Sequence, residues 1–74
     1  MVLMIKYISN IISTNDLKVE VGRYWDKEER RVEIVKLTMI LTNLEVACES
    51  YIGQIDAYNK ALKELEIKYK KDSV

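Results

Sequence analysis

There is no histidine among the 74 residues, no proline, one cysteine and only two glycines. Each absence removes a class of function. Without histidine, imidazole acid–base chemistry and the usual metal-ligand sets are excluded. Cys48 has no partner for an intrachain disulfide, so a domain near the size where a lone core becomes marginal must be held by packing. Oligomerisation is the commonest additional support for so short a chain. The lack of proline, with glycine only at Gly22 and Gly53, leaves no linker, repeat or low-complexity stretch, and one domain over 1–74 is expected. Twelve basic residues balance twelve acidic ones, so no overall field draws the chain to nucleic acid or to an anionic membrane surface.

Long apolar runs are missing as well. Met1-Val-Leu-Met-Ile-Lys-Tyr-Ile8 is interrupted at Lys6 and is followed by no small-residue cleavage site, unlike a signal peptide. Nothing approaches the roughly 18 apolar residues of a membrane span. The expected location is the cytoplasm, of a cell or of an infected host cell. Gly-rich phosphate loops, nucleophile–base arrangements and spaced carboxylate clusters are also absent. Neither an enzyme nor a bound cofactor or metal is expected.

What is present is the composition of a folded protein, 49% apolar and 32% charged, with too much hydrophobicity and too little net charge for disorder. Thr42-Asn-Leu-Glu45 fits a capping box. From it Leu44, Cys48, Tyr51, Ile55, Tyr58, Leu62, Leu65 and Tyr69 recur at steps of four and three, the spacing of one apolar helix stripe. Ala47, Ile52 and Ala61 widen it. Asp56–Lys60, Glu64–Lys68 and Glu66–Lys70 stand acid before base at i,i+4, which supports a helix. A helix over roughly 43–71 is predicted, with Gly53 as a costly interior residue.

Upstream the period falls to two. Leu17-Lys-Val-Glu-Val21 alternates, as do Val35, Leu37, Met39 and Leu41, and the polar run Asp26-Lys-Glu-Glu-Arg30 suits a connection between strands. A β-hairpin is predicted, roughly 17–25 against 31–41. The fold class is therefore α+β: an N-terminal hairpin, or three short elements, packed on one long C-terminal amphipathic helix. The rival is an all-α coiled coil or bundle, because Asp26-Lys-Glu-Glu29 also resembles a helix cap and Ile34, Leu37 and Leu41 extend the heptad. Residues 2–12 fit either a helical face (Met4, Ile8, Ile11, Ile12) or a strand face (Leu3, Ile5, Tyr7).

A helix of about 28 residues is about 42 Å long and would overhang strands of about 30 Å. Its last turns carry Tyr58, Leu62, Leu65 and Tyr69, whose burial is worth roughly 6–12 kcal/mol. The same stripe on a second chain would cover them. Self-association through Tyr51, Ile55, Tyr58, Leu62, Leu65 and Tyr69 follows as an expectation, with a dimer the simplest form. The charge reversal along the helix, acidic to Tyr58 and basic from Asn59 to Lys71, favours antiparallel helices, although it suits the macrodipole equally.

Tyr24 and Trp25, flanked by Arg23, Arg30 and Arg31, have the residue types that dominate protein interfaces, though a cap on the core would explain the aromatics too. Cys48 reads as a small buried apolar residue, Glu28–Glu29 as a solvated turn, and Lys68-Tyr-Lys-Lys71 as a helix end matched to its dipole. The function that best fits is a protein-binding, self-associating module that regulates or inhibits another protein, of the kind viruses and mobile elements encode. The alternatives are a small nucleic-acid-binding regulator, a structural coiled-coil scaffold, and capture of a small ligand between subunits by the tyrosines of the stripe.

Overall fold

The computed structural model of the chain describes residues 12–72. The expectations for residues 2–11 lie outside that range. A single 3-10 turn, Thr14–Asp16, leads into β1 (Leu17–Trp25), β2 (Arg31–Met39), β3 (Glu45–Ser50) and α1 (Gln54–Asp72). The strands form one antiparallel sheet in the order β1-β2-β3, and α1 packs across β2 and β3. The α+β reading is correct and the all-α rival is not.

The hairpin holds over its whole predicted first strand. β1 and β2 pair without interruption from Leu17 opposite Met39 to Trp25 opposite Arg31. Alternation decides which face each residue takes. Val35, Leu37 and Met39 point to the helix and form the core with Ile12, Ala57, Ala61, Leu62 and Leu65. Leu37 and Leu65 have no exposed surface. β2 ends two residues earlier than predicted, because Met39 switches to turn closure. Its carbonyl accepts from Asn43 N at 2.8 Å and its N–H donates to the Leu44 carbonyl at 2.8 Å. Asn43 takes a left-handed φ of 59°, which asparagine tolerates better than most residues.

The helix begins eleven residues later than the stripe suggests. Residues 45–50, placed on the helix by the sequence, are instead a third strand, paired with β2 from Thr38–Glu45 to Glu33–Ser50. Val46 and Cys48 are two apart and lie opposite Leu37 and Val35, so their spacing serves a strand as well as a heptad. Thr42 does not cap a helix: its hydroxyl accepts from Leu44 N at 3.4 Å within the β2–β3 turn. Glu45 pairs with Lys36 at 3.2 Å. The break falls at Gly53, whose φ of +157° is one that L side chains rarely adopt. Ala57 N then donates to the Gly53 carbonyl at 3.1 Å, and Ser50 Oγ donates to Asp56 Oδ2 in the first turn at 2.6 Å.

With 19 residues, α1 is about 28 Å long and matches the sheet rather than overhanging it. Leu62 (4% exposed) and Leu65 are buried in their own protomer, and Tyr58 and Tyr69 are half-buried against the same core. The geometric reason for helix-to-helix association is therefore gone. Asp56–Lys60 and Glu66–Lys70 pair at 3.3 Å as expected. Lys68 instead donates to the carbonyl of Glu45 at 3.2 Å. Truncating Leu65→Ala should cost about 3 kcal/mol or more by leaving a cavity. Ile52→Ala, at a side chain 81% exposed, should change stability by less than about 0.5 kcal/mol. Chemical denaturation of the two variants checks the pair.

Candidate functional site

The candidate site is the end of the sheet where the β1–β2 turn meets the β3–α1 connection. Asp26 organises it. Its N–H donates to the Arg30 carbonyl at 3.0 Å and its carbonyl accepts from Glu29 N at 3.0 Å, which closes a three-residue loop, 27–29. Asp26 Oδ1 accepts from the N–H groups of Glu28 (2.8 Å) and Arg30 (2.9 Å), and Oδ2 accepts from Arg30 Nε at 2.9 Å. These bonds, led by the Arg30 N–H, hold its carboxyl below the usual carboxylate range. Glu29 carries the left-handed φ of 62° that such loops place after their turn and normally assign to glycine.

Arg30 is fixed by this arrangement and lies 4.7 Å over the Tyr51 ring, within cation–π range. The Tyr51 hydroxyl donates to Asp26, a bond that raises its pKa. Trp25, Arg30, Arg31 and Tyr51 together line an open depression of about 550 Å³. Trp25 is 66% exposed, a large apolar surface left in water at a rigid point of the fold.

Alternation splits the five residues singled out by the sequence. Trp25, Arg31 and Arg23 share the helix-bearing side with Glu33. Glu33 is buried, and its Oε1 accepts from Arg23 Nε at 2.8 Å and faces Arg31 Nε at 3.3 Å. Its Oε2 is buried without a hydrogen-bond partner. Tyr24 lies on the other side, where its hydroxyl donates to Glu49 Oε2 at 2.6 Å. That bond pushes the Tyr24 pKa up to about 12. Trp25, Arg30 and Arg31 are thus brought together at the depression, while Arg23 and Tyr24 support it from either side.

Tyr51 belongs to this cluster and not to a helical stripe. Ile55 is half-buried in the first turn of α1. The signal that would have found Tyr51 is Gly53, which ends the strand segment two residues later. Cys48 is half-buried and burial raises its thiol pKa, so at neutral pH it carries little of the reactive thiolate. Glu28 pairs with Arg30 Nη2 at 3.3 Å and stands in the turn as expected. Among the described residues no three His, Cys, Asp or Glu side chains are grouped to hold a metal ion, and no helix is long and apolar enough to cross a membrane.

Compared with known proteins, the chain matches no family model, no curated protein and no solved structure.

The Tyr24–Glu49 bond has a pH signature. A tyrosine whose folded pKa lies above its unfolded value favours the protonated form. Its stabilisation is therefore complete below about pH 10 and is lost as pH rises toward 12. In an NMR titration of the ring carbons, Tyr24 should ionise well above the usual tyrosine range, and Glu49→Gln should move it back toward its ordinary value. An unchanged midpoint in that variant would refute the assignment.

Proposed function

We propose that the chain is a small, non-enzymatic interaction module that self-associates and holds another protein, acting as its regulator or inhibitor. The observation that carries this reading is the cluster of Trp25, Tyr51, Arg30 and Arg31 at one end of the sheet. Tryptophan, tyrosine and arginine are the residues most enriched among those that dominate binding energy. Here the ring of Trp25 is exposed beside a turn pinned by Asp26, so little backbone entropy remains to be lost on binding.

The charge pattern favours a protein over a nucleic acid. All three arginines of the chain already face carboxylates: Arg23 and Arg31 on Glu33, Arg30 on Asp26 and Glu28. Phosphates would have to displace those partners. A coiled-coil scaffold finds less support, because Ala57, Ala61, Leu62 and Leu65 are spent on the protomer's own sheet.

Affinity capture from the native host tests the reading. The wild-type chain should retain a discrete protein. Trp25→Ala with Tyr51→Ala should lose it while keeping the far-ultraviolet spectrum of the fold, since a central aromatic anchor contributes about 2 kcal/mol or more, roughly 30-fold in affinity. Recovery of nucleic acid alone, displaced by moderate salt, would overturn the proposal.

A further inference from the structure

Among the described residues β1 forms one edge of the sheet, and no strand pairs along its outer side. The bonds at its two ends fix which groups are free. Asp26 N donates to the Arg30 carbonyl and Ile40 N to the Asp16 carbonyl, and the register between them has no bulge. In an antiparallel ladder the bonded pairs alternate, so Lys18, Glu20, Gly22 and Tyr24 exchange hydrogen bonds with β2. The N–H and C=O groups of Val19, Val21, Arg23 and Trp25 therefore point outward, and among the described residues no strand meets them.

Edges of this length are normally blunted by proline, a bulge, shortness or charges aimed along the edge. β1 has none of the first three over its nine residues. Lys18 and Glu20 pair with each other at 3.7 Å, on the face away from the helix. On the helix-bearing side Val19, Val21 and Trp25 are 48%, 56% and 66% exposed. The opposite edge, β3, has six residues. Two of its three outward positions are Glu45 and Glu49, and Lys68 occupies the Glu45 carbonyl. Among the described residues one edge is guarded and the other is not.

We propose that β1 pairs antiparallel with β1 of a second copy about a two-fold axis at Gly22. The inference rests on the self-association proposed above and gives it a surface. An axis perpendicular to the sheet keeps both helices on one side and sets outward-facing residues against outward-facing residues. Val19 then lies opposite Trp25 of the second copy, Val21 opposite Arg23, and Lys18 opposite Asp26, so opposite charges meet. An axis at Glu20 would set that carboxylate against its own counterpart. An axis at Val21 would move Lys18 from Asp26 to Tyr24. At the axis itself the strands approach to about 4.5 Å between Cα atoms, where Gly22 carries no side chain. The product is a continuous six-stranded sheet, β3-β2-β1-β1-β2-β3.

Three variants and sedimentation at tens of micromolar test it. The wild-type chain should sediment as a dimer. Val21→Pro removes an outward N–H that β2 does not use, and Val21→Lys places a charge along the edge. Each should halve the sedimenting mass with an unchanged far-ultraviolet spectrum; if the proline variant loses the fold, the lysine variant reads the same result. In a Cys48→Ala background, Gly22→Cys should form an intermolecular disulfide under mild oxidation, and Ala47→Cys on β3 should not. The Cβ added at Gly22 meets nothing within 4 Å, so this variant leaves the protomer intact. A dimer that persists in Val21→Lys without the Gly22→Cys crosslink would overturn edge pairing but leave self-association standing. A wild-type monomer would overturn both.

Discussion

One helix about 10 Å across can cover two strands spaced about 4.8 Å apart, and not three. This constraint governs the molecule. α1 spends its apolar face, Ala57, Ala61, Leu62 and Leu65, on Val35, Leu37 and Met39 of β2 and on the flanking Val46 and Cys48 of β3. β2 becomes the buried centre of the sheet, and β1 beyond Leu17 lies largely outside the cover of the helix. Every exposed feature of β1 follows from that. Its valines and Trp25 point to the helix-bearing side and are largely exposed, and among the described residues no strand pairs with its outer backbone groups.

The same constraint separates the core from the proposed binding surface. The core lies at β2, β3 and α1, whereas the candidate site lies at the hairpin end, where Asp26 spends both carboxylate oxygens on the turn. Arg30 links the two by holding Tyr51 beneath its guanidinium. A surface built this way presents aromatic rings on a fixed backbone without weakening the core, which suits a domain of this size with little stability to spare.

How much of this could be read from sequence depends on the residue. The hairpin was legible because Val35, Leu37 and Met39 alternate within a β-branched stretch, and Asp26-Lys-Glu-Glu-Arg30 marked the turn. The far half of the helix was legible from Leu62, Leu65 and the i,i+4 acid–base pairs. Its start was not, because Leu44, Cys48 and Tyr51 satisfy a heptad while Val46 and Cys48 satisfy a strand. Local pattern cannot choose between them. The choice is made by Leu37 and Val35 across the ladder and by the φ of Gly53, both consequences of tertiary structure. Mistaking that boundary lengthened the helix and created the overhang from which association through the helix was expected. At the candidate site, Trp25, Arg30 and Arg31 were visible as an aromatic–arginine cluster, but Tyr51 was hidden within the false stripe. The role of Glu33 was hidden too, since it depends on Arg23 and Glu33 being directly opposed across the hairpin.

Amide hydrogen exchange along β1, followed against protein concentration, tests the central claim directly. Gly22 N–H, bonded to β2, should be protected at every concentration, whereas Val21 N–H should exchange freely when dilute and become protected as chains associate. Protection of Val21 already at the lowest concentration, or equal lability of Gly22 and Val21, would contradict an edge that is open in the single chain.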